Sequence, residues 1–118
     1  MINTSRILLE PKANEWRLAE DLLVDITEPR IRLYIPEGFI TDLASIPRVI
    51  WAVIPPYGLY TRAAVVHDWL YRSKIQITRA EADNVFLELM QQDKVDPTLA
   101  KLMYRAVRMF GSASYKAR

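Results

Sequence analysis

The apolar residues of this chain change their spacing once, near residue 40, and that change sets the class of fold it can adopt. Before it, Trp16, Leu18, Leu22, Val24 and Ile26 fall on one parity, while Arg17, Asp21 and Asp25 fall on the other. Alternation of this kind predicts a half-buried strand over 16–26. Thr27-Glu28-Pro29-Arg30 supplies a turn, and Ile31, Leu33 and Ile35 then alternate with Arg32 and Tyr34. The two runs form a hairpin. Ile7-Leu8-Leu9 adds a short strand, and Pro36-Glu37-Gly38 ends the meander.

After residue 40 the spacing becomes helical. Ser45 is placed to cap a short helix with Pro47 in its first turn and Val49, Ile50, Trp51 and Val53 along it. Thr61 is the expected N-cap of a helix over 62–72. Thr78 and Glu81 have the spacing of a capping box and open a helix to about residue 92. Its apolar stripe is Ala82, Val85, Phe86, Leu89 and Met90. Asp96-Pro97 caps and starts a last helix carrying Leu99, Leu102, Met103, Ala106, Val107 and Phe110, and Gly111 ends it. The expected class is therefore α+β: an N-terminal antiparallel hairpin or small sheet followed by three or four helices. With 118 residues the chain is read as one domain, mainly β to residue 40, mainly α over 41–111, with a basic tail at 112–118.

Composition excludes several classes. There is no cysteine, so disulfides and thiolate metal sites are ruled out. The first residues have no charged start followed by an apolar run, so no signal peptide is expected. The longest apolar run, Val49 to Ile54, is far too short to span a bilayer. Net charge is +2, but no acidic residue follows Asp96, while Lys101, Arg105, Arg108, Lys116 and Arg118 do. A solvated helix face with a frayed tail accounts for this run. Nucleic acid, anionic lipid or an acidic protein surface is the alternative partner. Sequence-specific nucleic-acid binding is not expected, and the aromatic interleaving of single-strand binders is missing.

The chemistry lies in Ala63-Ala64-Val65-Val66-His67-Asp68-Trp69-Leu70-Tyr71 and Ala82-Asp83-Asn84-Val85-Phe86. His67 is the one histidine of the chain, and it sits in an apolar segment. A buried ionisable group must be paired or hydrogen-bonded. With the two helices taken as an antiparallel hairpin around residue 75, His67 lies eight positions before the centre and Asp83 eight after. Axes about 8–10 Å apart bring such side chains within reach. Asp83 is thus predicted to hold His67, fixing its tautomer and raising the basicity of the other ring nitrogen. Tyr71, one turn on, can join the cluster. Asp68 points about 100° away and is available for a cation. With one histidine and no cysteine, carboxylates suit calcium or magnesium rather than zinc. Asp42 caps local amides or adds a ligand, and Arg48 and Arg62 are candidates for a phosphate or an ion pair. The same residues equally describe a network that only holds helices together.

His-Asp-x-x-Tyr followed by Ala-Asp-x-x-Phe resembles the helix pair of secreted and parvoviral phospholipases A₂, over roughly residues 57–90. That resemblance implies His67 as general base, Asp68 as calcium ligand and Asp83 as the orienting carboxylate. The chain departs from it at Pro55-Pro56-Tyr57-Gly58-Leu59-Tyr60, which has one glycine where those enzymes have a glycine-rich calcium loop.

Over about residues 30–111 the chain resembles a family of small proteins encoded mainly by tailed bacteriophages and prophages. The residues that carry this are Phe39 to Arg48, Tyr60 to Tyr71, Arg79-Ala80-Glu81-Ala82-Asp83 and Met103 to Arg108. The resemblance implies a phage origin. A virion, tail or assembly component acting with other phage proteins, in the virion or the host cytoplasm, is the leading expectation. A calcium-dependent hydrolase and a module that binds a host factor are the alternatives.

Overall fold

A computed structural model describes residues 2–12, 15–41, 59–73, 75–112 and 115. The expected α+β class holds: among the described residues, six short strands in two small antiparallel sheets precede three helices. The chain divides into two compact units, Met1–Leu43 and Ala44–Arg118.

In the first unit, β1 (Asn3–Thr4), β4 (Leu22–Ile26) and β5 (Ile31–Ile35) form one sheet in the order β1-β4-β5. The predicted hairpin is β4–β5, in register from Leu22 opposite Ile35 to Ile26 opposite Ile31. Leu22, Val24, Ile26, Leu33 and Ile35 are buried, while Leu23, Asp25, Arg32 and Tyr34 face outward. The second sheet has the order β2-β3-β6, from Leu9–Lys12, Glu15–Leu18 and Ile40–Thr41.

Three sequence expectations change here. The strand predicted over 16–26 is two strands in different sheets, broken at Ala19-Glu20-Asp21. All three residue types are depleted in strands. Asp21 stabilises the break, accepting hydrogen bonds from the Tyr34 hydroxyl at 2.5 Å and the Glu37 amide at 2.8 Å. The short early strand begins at Leu9 rather than Ile7. The meander does not end at Gly38: that glycine takes φ +93°, which side-chain-bearing residues rarely adopt, and turns the chain into β6 against β3.

In the second unit, α1 (Thr61–Arg72), α2 (Arg79–Gln92) and α3 (Pro97–Phe110) follow one another, and α2 packs against both others. Thr61 is not the cap of α1. It is the first helical residue and is buried, and Tyr60 holds the N-cap position without a cap hydrogen bond from its own side chain. The predicted capping box of α2 is present: Thr78 Oγ1 accepts from the Glu81 amide at 3.1 Å, and Glu81 Oε1 accepts from the Thr78 amide at 2.9 Å. Asp96 accepts from the Leu99 amide at 3.1 Å ahead of Pro97. Between α2 and α3, Lys94 adopts φ +62°.

The stripe predicted for α3 is narrower than expected. Ala100, Met103, Ala106 and Val107 are buried, but Leu102 and Phe110 are exposed. The short helix predicted from Ser45 lies outside the described residues.

Candidate functional site

The helical unit gathers its ionisable residues around one carboxylate. Helix α1 places His67 and Tyr71 one turn apart on its buried face, and α2 places Asp83 opposite them. His67 Nε2 lies 2.7 Å from Asp83 Oδ1, as the hairpin arithmetic predicts. The antiparallel pairing extends along the hairpin, where Arg62 of α1 lies 3.7 Å from Asp93 at the end of α2. The Tyr71 hydroxyl donates to the same Oδ1 at 2.5 Å. Arg108 of α3 donates to Oδ2 at 2.7 Å. Arg79 stands 3.7 Å from Oδ2 and donates to the carbonyls of Val107 and Arg108 at 3.0 and 3.2 Å.

Asp83 is fully buried and His67 is 1 % exposed. The imidazole lies between the Tyr71 ring, at a centroid distance of 4.1 Å, and the Phe86 ring, at 4.7 Å. An uncompensated carboxylate here would be costly. Burial pushes the Asp83 carboxyl up, but the hydrogen bonds from His67, Tyr71 and Arg108 outweigh it, and the net displacement is downward. Burial pushes the Tyr71 phenol up, and its bond to Asp83 adds to that. The bond to Asp83 also raises Arg108.

These displacements fix the direction of the hydrogen bonds. An ionised carboxylate only accepts, so His67 Nε2 must donate. Nε2 therefore carries a proton aimed at Asp83 Oδ1. The site has the geometry of an oriented base, on a ring closed off by its neighbours.

The other expected site residues fall elsewhere. Asp68 is buried, and its Oδ2 accepts from Arg72 Nη1 at 3.2 Å, one turn along α1. Calcium takes about six to eight oxygen ligands. Among the described residues, no group of three or more acidic or histidine side chains is placed to hold a metal. The described donors around Asp68 therefore do not make a calcium site. Asp42 and Arg48 lie outside the described residues, as does most of the Pro55 to Tyr60 segment.

Arg108 and Arg79 are the members of the cluster that sequence reasoning missed. The basic run places Arg108 on a solvated face, yet it turns inward to Asp83. The available signal was electrostatic. A buried carboxylate needs a cation beside it, and Arg108 borders the buried residue Val107. Arg79 had a direct signal in its four-residue spacing from Asp83 on one helix. Lys101 and Arg105 are exposed, as a solvated face requires.

Comparison with known proteins matches residues 16–107 to the family described as protein of unknown function DUF1353. Two proteins of Sinorhizobium fredii (strain NBRC 101917 / NGR234) are similar. The uncharacterized protein y4jT is 35 % identical over 79 residues, covering 65 % of this chain and 23 % of its own length. The uncharacterized protein y4iH is 38 % identical over 73 residues, covering 60 % of this chain and 30 % of its own length. The chain thus spans less than a third of either relative. No solved structure matches it. The family match runs from β3 through the buried end of α3 and includes every residue of the Asp83 cluster except Arg108, so the chain belongs to the DUF1353 family.

Proposed function

We propose that this chain is a virion, tail or assembly component of tailed-phage or prophage origin, and that the Asp83 cluster is a lock joining α1, α2 and α3. The phage origin is supported by the sequence resemblance over residues 30–111. The lock is carried by one observation: both oxygens of a fully buried carboxylate are taken by donors from α1 and α3, while the imidazole is closed in. Each donor comes from a different turn of the unit, so removing Asp83 loosens all three helices together. Purified particles and assembly intermediates, analysed by mass spectrometry, test the role. The chain is expected there at a fixed ratio to known structural proteins. Its absence from both would overturn the proposal.

A second reading is a hydrolase that uses His67 as base. It is favoured by the bond of His67 Nε2 to Asp83 Oδ1, which orients the imidazole as the carboxylate of a base pair would. An esterase assay across a calcium titration, on wild type and His67→Ala, separates the readings. Equal null results with intact folding support the lock. Calcium-dependent turnover lost in His67→Ala supports the hydrolase.

A further inference from the structure

One sheet of the first unit ends on an open strand. Its order is β1-β4-β5, so β5 has β4 on one side, and among the described residues no strand pairs with the other. Hydrogen bonds show which backbone groups face that open side. The Leu23 carbonyl accepts from the Ser5 amide at 2.9 Å, and the Leu23 amide donates to Ser5 Oγ at 2.9 Å, both on the β1 side of β4. Backbone groups alternate along a strand, so Leu22, Val24 and Ile26 direct theirs toward Ile35, Leu33 and Ile31 of β5. Arg32 and Tyr34 then direct their amides and carbonyls outward, and neither makes a further backbone hydrogen bond to a described residue.

Edge strands are commonly blunted by a bulge, a proline or repeated charge. β5 instead pairs with β4 in unbroken register along its whole length. Proline comes only at Pro36, after the strand. The single charge of β5, Arg32, lies 3.5 Å from Asp25, which stands opposite it on β4. Beside them, Tyr34 and Leu23 form a second cross-strand pair, and both are exposed.

We propose that β5 is the pairing edge for a second copy of this chain, joined antiparallel about a two-fold axis at Leu33. In that register Arg32 of each copy stands opposite Tyr34 of the other, and each pair exchanges both of its amide–carbonyl hydrogen bonds. The guanidinium meets the tyrosine ring in a cation–π contact. Each row across the joined sheet then reads Asp25, Arg32, Tyr34, Leu23, with charge beside charge and ring beside aliphatic side chain. This complementarity is the argument for a second copy: the edge carries both halves of the pair it needs, as an isologous contact requires. Neighbouring registers are worse. A slip by two residues one way sets Arg32 against Arg32, and like charges directly opposite are destabilising. A slip the other way sets Arg32 against Pro36, which has no amide to donate. The inference uses no residue of the Asp83 cluster, so its failure leaves the helix lock standing.

Sedimentation velocity of the full chain over a concentration series is expected to show a monomer passing into a dimer. Tyr34→Lys, which meets Arg32 of the other copy with a second cation, is expected to abolish the dimer. A chain that is monomeric at every concentration overturns the proposal, as does a dimer that Tyr34→Lys leaves intact. The register has its own test, because the chain has no cysteine. Arg32→Cys and Tyr34→Cys chains are mixed and mildly oxidised. Residues opposite one another in a hydrogen-bonded pair have Cα atoms about 5.5 Å apart, within disulfide reach, whereas identical positions on the two copies lie beyond it. The mixed disulfide is expected in several-fold excess over either homodisulfide, and the mixed dimer keeps an Arg32–Tyr34 pair intact. Random proportions, or a predominant homodisulfide, overturn the pairing. If circular dichroism shows that Tyr34→Lys does not fold, the cysteine pair decides.

Discussion

Arg108 Nη1 donates to Asp83 Oδ2 at 2.7 Å, on the oxygen that His67 and Tyr71 do not use. The bond ties α3 to the α1–α2 hairpin and supplies a cation to the buried carboxylate. Removing one partner of a buried pair costs about 3–5 kcal/mol. Arg108 is about a third exposed, and Arg79 remains nearby to compensate. Arg108→Met is therefore expected to cost less, about 1–2 kcal/mol by urea denaturation. Arg108→Lys should recover part of the loss, because it restores charge without the planar fork.

The pH dependence follows from Asp83. Its carboxyl is held below the ordinary range in the folded chain, so the unfolded chain binds the proton more readily. The stability this supplies is fully present above the unfolded value of about 4 and is lost as pH falls through the lower folded value. Wild type should thus lose denaturation midpoint on acidification below about pH 4. Asp83→Asn should be less stable near neutrality and should lose less on acidification. Parallel pH profiles for the two chains would contradict this.

Gly111→Ala tests steric rather than conformational freedom. Gly111 has φ −77°, open to any residue, but an added Cβ meets backbone at the Val107 carbonyl and the Tyr71 hydroxyl. A cost of about 1–3 kcal/mol is expected, the range for overpacked sites. Tyr71→Phe in the Gly111→Ala background should recover part of it, which a double-mutant cycle would measure.

Much of this cluster is legible from residue types and spacing. The Thr78–Glu81 box, the Asp96-Pro97 start and the His67–Asp83 pairing all follow from local rules, because each depends on neighbours along one helix or on symmetry about one short loop. What was not legible depends on tertiary choice. The break at Ala19–Asp21 preserves the parity of Leu18 and Leu22, so alternation alone cannot reveal it. Leu102 and Phe110 extend the apolar period of α3 beyond the part of the helix that is buried. Arg108 looked like one charge in a basic run until a specific buried anion gave it a partner.

Lys94 provides a stabilising prediction. It is exposed and sits at φ +62°, a conformation that costs side-chain-bearing residues about 1–2 kcal/mol. Lys94→Gly relieves that strain, partly offset by the added freedom of glycine in the unfolded chain. A net gain of about 0.5–1 kcal/mol in thermal or urea denaturation is expected.

The account rests most directly on the state of one imidazole. Nitrogen-15 NMR of the chain labelled at histidine reports one residue, His67. Nε2 is predicted to carry a proton held by Asp83, seen as a strongly deshielded signal that disappears in Asp83→Leu. An Nε2 with no bound proton, or an Nε2 proton signal unchanged in Asp83→Leu, would contradict the pairing.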